Sequence, residues 1–189
     1  GTTTNGVYCL NIDKKELTHP IQKGNITSFY QDSESELWIG SWEEGLFRVK
    51  ADGTIENFKY NAKDPHSLSS NFVRACCEDN LGNIWIGTFN GLNRYNKITG
   101  LFQNHTANDT QADGLTHSSI WCIVKDNQGT LWLGTYFGGV NYFNPEYEIY
   151  TRYSYSSNEK KGLSNPVVGR TIEDKDGNLW IGTAQQHFA

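Results

Sequence analysis

Ile84-Trp85-Ile86-Gly87 is one of four near-copies of a short phrase, and the others are Leu37-Trp38-Ile39-Gly40, Leu131-Trp132-Leu133-Gly134 and Leu179-Trp180-Ile181-Gly182. The tryptophans of successive copies are 47, 47 and 48 residues apart in a chain of 189 residues. A fixed period of roughly 20 to 50 residues is typical of chains built from stacked supersecondary units, none of which can bury its apolar face alone. The repeat therefore predicts the architecture before any catalytic motif is considered.

The composition is typical of short strands joined by tight turns. Aromatic residues make up 13% of the chain and glycine occurs 19 times, and these residue types favour strands and turns respectively. The formal charge of −5 and the presence of only two adjacent basic pairs, Lys14-Lys15 and Lys160-Lys161, argue against a nucleic-acid partner, which needs a clustered basic face. The longest apolar run, residues 120–124, is much shorter than the roughly 20 residues that cross a bilayer.

The four cysteines are Cys9, Cys76, Cys77 and Cys122, and they have neither a Cys-x-x-Cys spacing nor a histidine cluster nearby. Zinc sites use such spacings, so we predict no metal site and no cofactor. Free cysteine is commonly a small buried residue, and we expect four unpaired structural thiols. An exported location would permit a disulfide without requiring one.

Alignment of the copies on their tryptophans predicts four short strands in each repeat unit. The first strand, at residues 26–31, 73–78, 120–125 and 168–173, has apolar residues on both faces, which is typical of a strand sandwiched between neighbouring sheets. The second strand carries the tryptophan phrase, with the indole on one face and its two apolar neighbours on the other. A third strand and a more polar fourth strand follow, and the polarity of the fourth predicts an outer edge that faces water.

An acidic turn separates the first and second strands of each unit. Its aspartate and glycine recur as Asp79 with Gly82, Asp126 with Gly129 and Asp174 with Gly177. Aspartate can cap its own backbone and glycine accepts a positive φ, so we predict structural roles for these residues rather than metal binding or acid catalysis. Ser35 replaces the glycine in the first copy, and we expect a looser or differently shaped turn there.

These units predict an all-β fold, a β-propeller segment of four-stranded antiparallel blades with three full blades and two half blades. The predicted divisions are a half blade at 1–20, blades at 21–67, 68–114 and 115–162, and a half blade at 163–189. Three arrangements follow, namely a closed four-bladed ring, a slice of a larger ring, or two chains that share their half blades. Because the chain begins with Gly1 and stops within a repeat, we favour a slice of a larger propeller in a longer polypeptide.

The recurring phrase Asp-x-x-Gly-x-Leu/Ile-Trp-Ile/Leu-Gly-Thr, followed by Gly-Leu-Asn-Arg-Tyr-Asn and Leu-Ser-Ser-Asn elements, resembles the two-component regulator propeller repeat. The resemblance covers essentially the whole chain and is strongest at residues 68–71 and 79–96. The chain departs from the pattern at Ser35, in a shortened first copy, and at residues 183–189, where no Gly-Leu strand follows the last phrase.

The resemblance implies the periplasmic sensor region of a hybrid two-component histidine kinase of Bacteroides-like bacteria. Such receptors detect breakdown products of complex carbohydrates and switch on the genes that use them. The implied partners are an oligosaccharide or other small ligand, the remaining blades and the kinase portion of the same receptor, and a second copy in a homodimer. The kinase machinery would lie elsewhere in the receptor, so this segment is expected to be non-enzymatic.

The repeated tryptophans Trp38, Trp85, Trp132 and Trp180 have two interpretations. Flat indole faces suit pyranose rings, but a residue that recurs in every blade serves what every blade needs, which is packing against the next blade. We therefore predict structural roles for all four, with their indoles buried between blades.

Aromatic residues outside the repeat pattern are better ligand candidates. Trp42, Phe89 and Tyr136 follow the tryptophan strand in a variable loop, which in a propeller shares a rim with the links between blades. Three residues near the start of the first strand are further candidates for ligand contact at this rim: Asn71, His117 and Trp121. The sequence shows no sign of a carboxylate-binding cluster among the five arginines, Arg48, Arg74, Arg94, Arg152 and Arg170.

Two other functions stay open on sequence grounds. The first is a propeller hydrolase or lyase, although no nucleophile elbow, phosphate loop or zinc helix is present, and no catalytic residue can be assigned. A glycosidase would need two acids at a set separation across a pocket. The second is a protein-interaction scaffold, because unpaired strand edges at the half blades invite partners.

Overall fold

Sixteen antiparallel strands form the regular structure of this computed structural model, which describes residues 1–2, 4–107, 114–147, 149–156 and 162–183. No helix occurs in these ranges, and consequently none that could span a membrane. Each strand is four to six residues long and pairs with its neighbour in sequence. The all-β propeller prediction is confirmed.

The strands form five sheets. The first half blade contains β1 (Val7–Asn11) and β2 (Glu16–Ile21). Blade 1 contains β3 (Ile26–Gln31), β4 (Leu37–Ser41), β5 (Leu46–Val49) and β6 (Ile55–Phe58). Blade 2 contains β7 (Val73–Glu78), β8 (Ile84–Thr88), β9 (Gly91–Asn96) and β10 (Leu101–His105). Blade 3 contains β11 (Ile120–Lys125), β12 (Leu131–Thr135), β13 (Val140–Asn144) and β14 (Ile149–Tyr153). The last half blade contains β15 (Val168–Glu173) and β16 (Leu179–Thr183).

The two half blades are separate sheets among the described residues, because neither strand of one pairs with a strand of the other. Among the described residues, the leftover strands therefore do not pair to complete a blade, which argues against a closed four-bladed ring. A slice of a larger ring and a ring shared between chains both remain predictions. The limits proposed for each blade, which fall in the links between strands, also remain predictions.

The core lies between blades, where the repeated phrase places its two faces. Trp38 of blade 1 packs in one cluster with Ile84 and Ile86 of blade 2, and Trp85 of blade 2 packs with Leu133 of blade 3. Both indoles are fully buried. Since a buried tryptophan removes about 200 Å² from water, each contributes roughly 5 kcal/mol of transfer free energy. The alternation read from the sequence therefore sets which side of each blade meets the next one.

The indoles become less buried toward the end of the chain. Trp132 is half-buried beside Val168 and Ile181 of the last half blade, whereas Trp180 is 65% exposed. The prediction that all four indoles are buried is therefore wrong for Trp180. The reason is geometric, because each indole points at the following blade and no described strand follows β16.

Each acidic turn is held by one carboxylate. Asp79 Oδ1 accepts hydrogen bonds from the backbone N–H groups of Leu81 and Asn83, both at 2.9 Å, and Oδ2 accepts one from the Trp85 indole Nε1 at 2.7 Å. The same indole bond occurs in the other three units. Backbone capping by these aspartates, as predicted, is present, and the carboxylate also orients the tryptophan of the next strand.

The first turn has the shape of the others, so the prediction of a looser or different turn at Ser35 is wrong. Ser35 has a φ of 66° and its N–H donates to the Asp32 carbonyl at 3.0 Å, as Gly82, with a φ of 79°, does to Asp79. A positive φ is unfavourable for serine. The Asp32 carboxylate offsets that cost, because it accepts the N–H groups of Glu34 and Glu36 and the Trp38 indole.

Glycine in the repeated phrase permits close approach of the next blade. A Cβ placed on Gly87 would lie 2.8 Å from Cγ2 of Ile120, the first residue of the next inner strand. A Cβ on Gly40 or Gly134 would likewise lie 2.8 Å from Val73 or Val168 of the next blade, and it would also clash with Ser28 Oγ or Cys122 Sγ of its own blade. The glycine is therefore required by close packing, including the approach of the next blade, rather than by backbone conformation.

All four cysteines are free, as predicted, and three of them are buried. Burial raises the pKa of the Cys77 thiol to about 11 and also raises the pKa values of Cys76 and Cys122. Because the thiolate is the reactive form, we expect a disulfide reagent at pH 8 to modify only exposed Cys9 rapidly in the folded protein. A Cys9→Ser variant should lack the fast phase. A second fast-reacting thiol in that variant would contradict the packing described here.

Candidate functional site

The second residue of every inner strand is the extra residue of a β-bulge. In β3 the register shifts between Ile26 and Ser28, and the other inner strands shift at the matching place. The bulged residues are Thr27, Arg74, Trp121 and Gly169. A bulge bends the strand and redirects a side chain. Since the inner strands lie side by side, the four bulged residues lie at the same end of the blades and line one cavity.

The same end carries the loops between the second and third strands. Each loop is hydrogen-bonded to the link that leads into the next blade, through Gly45 N–H to the Asn71 carbonyl at 3.2 Å, Gly91 N–H to Ser118 at 2.8 Å and Gly139 N–H to Pro166 at 2.9 Å. The shared rim predicted from the sequence is present. Bulges, loops and links therefore shape one surface.

Arg74 lies among aromatic rings from three successive blades. Its guanidinium carbon is 5.1 Å from the ring centroid of Trp42, 5.6 Å from that of Phe89 and 4.6 Å from that of Trp121. Phe72 lies between the first two rings, with centroid distances of 5.3 Å to Trp42 and 6.1 Å to Phe89. The three distances from the Arg74 guanidinium to the ring centroids are within the range of favourable cation–π contact.

The aromatic surface continues across blade 3. Trp121 stacks on Tyr136 at 5.4 Å with an interplanar angle of 15°, and Tyr136 meets Phe137 edge-on at 4.5 Å. The centroid of the His117 ring lies 6.3 Å from the ring centroids of Tyr136 and Phe137. Burial lowers the pKa of His117, so its imidazole is neutral at pH 7. We call the whole group the rim cluster: Trp42, Phe72, Arg74, Phe89, His117, Trp121, Tyr136 and Phe137.

The rim cluster borders an open cavity of about 430 Å³. Its described lining residues are Thr27, Trp42, Arg74, Trp121, Gly169 and Arg170, which include no acid. Arg74 Nη1 donates to Ser119 Oγ at 3.2 Å. No carboxylate of the described residues lies within ion-pair distance of Arg74. Burial lowers the pKa of its guanidinium, which nevertheless stays charged at neutral pH.

Five of the six candidate ligand residues come together in the rim cluster, namely Trp42, Phe89, His117, Trp121 and Tyr136. Asn71 does not join them. Its Oδ1 accepts the N–H of Tyr60 at 2.7 Å and its carbonyl accepts that of Gly45, so it holds the link between blades 1 and 2. Ligand binding by any of these residues remains a prediction.

Arg74, Phe72 and Phe137 are members of the cluster that sequence reasoning missed. Arg74 and Arg170 line one cavity, a proximity that the sequence did not indicate. One sequence feature could have identified Arg74. It occupies a position within the repeated inner strand whose residue type differs in every unit, as Thr27, Arg74, Trp121 and Gly169.

Comparisons with known proteins place the fold and the family. The family model described as two-component regulator propeller matches residues 20–43, 67–90, 114–137 and 162–185, about half of the chain. A comparison with curated protein sequences gives no match.

Two solved structures similar to this chain are extracellular domains of hybrid two-component systems from Bacteroides thetaiotaomicron. The first is 25% identical with a TM-score of 0.72 and covers 96% of this chain, and the second is 24% identical with a TM-score of 0.74 and covers 95%. The chain spans 23% and 24% of their lengths. Virginiamycin B lyase from Staphylococcus aureus shares the fold alone, at 14% identity and a TM-score of 0.69 over 94% of this chain and 56% of that one. On its four matched repeats, the chain belongs to the two-component regulator propeller family.

Proposed function

We propose that this chain is part of the ligand-sensing region of a hybrid two-component sensor histidine kinase, and that it lies outside the cytoplasmic membrane, in the periplasm. Family membership and the two extracellular domains of similar fold support this proposal. The segment itself binds and does not catalyse, and kinase activity resides elsewhere in the receptor. Its role is to regulate genes for the use of the detected compound.

The ligand proposed for this site is a carbohydrate breakdown product that binds across the rim cluster. The observation that supports this most strongly is the set of open aromatic faces around the cavity, since Trp42 is 38% and Phe89 is 55% exposed. Sugar rings have apolar faces and polar edges, and aromatic side chains can pack against those faces. A cavity of about 430 Å³ is within the usual range for small-molecule sites.

The position of the rim cluster suggests how binding could be transmitted. Its residues come from blades 1, 2 and 3, and the cavity also touches the last half blade through Gly169 and Arg170. A ligand can shift a receptor only if it binds one of two states more tightly. A ligand that contacts several blades would favour one relative arrangement of those blades, which the remaining blades and a homodimer could pass to the kinase.

Removal of an exposed ring of the rim cluster should weaken sugar binding. We expect Phe89→Ala to reduce affinity for a responsive oligosaccharide about tenfold, the usual effect of truncating one good contact residue. Isothermal titration calorimetry of the 189-residue chain with a panel of plant and host oligosaccharides would measure this. Trp180→Ala is the matched control, since Trp180 is exposed but bonds the turn at the other end of its sheet. Absence of heat with the whole panel would refute carbohydrate sensing by this chain.

A glycoside hydrolase on this scaffold has weaker support. Hydrolysis by two carboxylates needs both acids to flank the substrate, and no described residue that lines the cavity is acidic. The fold shared with virginiamycin B lyase carries no assignment of activity, because one fold hosts many functions.

A further inference from the structure

The charge around the cavity differs from that of the chain as a whole. The chain has 21 acidic and 16 basic residues, yet the described lining of the cavity includes two arginines and no carboxylate. Arg170 is exposed and lines the cavity from the last half blade. A pocket of one charge sign attracts ligands of the opposite sign.

Arg48 provides an internal comparison for Arg74. Its guanidinium also lies over aromatic rings, at 5.3 Å from Trp38 and 6.0 Å from Tyr95. There, however, the Glu36 carboxylate lies 2.7 Å away and completes an ion pair. Arg74 has similar ring contacts but no carboxylate of the described residues within ion-pair distance. Of these two arginines, Arg74 is therefore the one that lacks a described anionic partner.

Hydrogen-bond donors also outnumber acceptors at this point. A guanidinium has five N–H groups, and the described contacts of Arg74 include one hydrogen bond, to Ser119. Carboxylates and sulfate esters supply only acceptors, and arginine binds such planar or clustered oxygens through two parallel bonds.

We propose that the ligand of the rim cluster carries an anionic group, a carboxylate or a sulfate ester on a sugar, and that Arg74 binds this group in the cavity. The inference rests on the proposed function and specifies its ligand class. Trp42, Phe89 and Trp121 hold the guanidinium in place before the ligand arrives, and they keep water from one side of the ion pair, which strengthens it. Arg170, on the last half blade, adds attraction for the same anionic group.

The experiment compares chemically matched sugars by calorimetry on the 189-residue chain. One pair consists of oligogalacturonates and the same oligomers after carboxyl reduction. The other consists of sulfated galactose disaccharides and their desulfated forms, so that the two pairs distinguish a carboxylate from a sulfate. We expect the acidic member of one pair to bind about 10- to 100-fold more tightly than its neutral partner, as for a charged hydrogen bond. Arg74→Gln should abolish that difference, whereas Trp180→Ala should preserve it.

Two further measurements keep the proposal testable if Arg74→Gln does not fold. Raising the salt concentration should weaken binding of the acidic sugar by the wild-type chain without affecting the neutral one, and Arg170→Gln, at an exposed position, should weaken acidic binding severalfold. Equal affinity for acidic and neutral partners, both reduced by Phe89→Ala, would overturn the anionic ligand and leave carbohydrate sensing intact. Failure of every sugar to bind would overturn both proposals.

Discussion

Trp85→Ala should lower the free energy of unfolding of this chain by about 3–5 kcal/mol, the range measured when buried aromatic side chains are truncated. Trp85 is fully buried between blades 2 and 3, where it packs edge-on against Phe143 at 4.9 Å. The substitution leaves a cavity at that interface and removes the indole partner of the buried Asp79 carboxylate. Urea denaturation followed by circular dichroism would measure the loss.

Trp180→Ala is the matched control, because it removes the same residue type from the same repeat position. Its indole is 65% exposed, so we expect a loss below about 1 kcal/mol, as for most surface substitutions. The contrast tests whether the indoles stabilise the fold by filling the space between blades. Similar losses for the two variants would show that the tryptophans act within their own blade, and would contradict this account.

Gly87→Ala should destabilise the chain by about 1–3 kcal/mol, the usual cost of inserting a methyl group into a packed core. The new Cβ would lie 2.8 Å from Cγ2 and 3.1 Å from Cβ of Ile120, and the side chain of Ile120 is fully buried. Blade 3 can relieve the clash only by moving away from blade 2. The same urea titration would measure the change.

Gly182→Ala is the corresponding control in the last half blade. Its nearest neighbour would be the Arg170 carbonyl oxygen at 3.4 Å, an ordinary contact, and no side chain of a following blade is present among the described residues. We expect no loss of stability there, and a small gain from reduced entropy of the unfolded chain is compatible with the site. A large loss at Gly182 would mean that glycine is needed for backbone conformation in every unit rather than for blade spacing.

Local sequence pattern predicted the structure correctly where a residue acts within its own repeat unit. Alternation around Trp85 predicted which face meets the next blade, and the Asp79 turn was identified from residue types alone. The prediction was wrong at Ser35. Because this turn position is glycine in the other units, its replacement by serine predicted a differently shaped turn. The carboxylate of Asp32 holds that turn, and the strength of a capping aspartate relative to a missing glycine cannot be judged from residue identity.

The sequence identified only some of the residues that form the candidate site. Trp42, Phe89 and Tyr136 were identified because their loop must share a rim with the links between blades. Arg74 was not, because it lies within an inner strand, where alternation predicts a side chain packed between sheets. The bulge between Val73 and Ala75 changes that direction, and bulges follow from pairing with the neighbouring strand.

By itself, the sequence determined the repeat, the strand order, the capping role of the turn aspartates and the family, because each depends on contacts within about ten residues or on a regular period. Only the tertiary structure decided that Arg74 and Arg170 line one cavity, that Asn71 holds a link between blades, and that Trp180 is exposed. These features depend on how separate units meet around the ring. Contacts between units nearly fifty residues apart are set by the packing of whole blades, and no single segment encodes them.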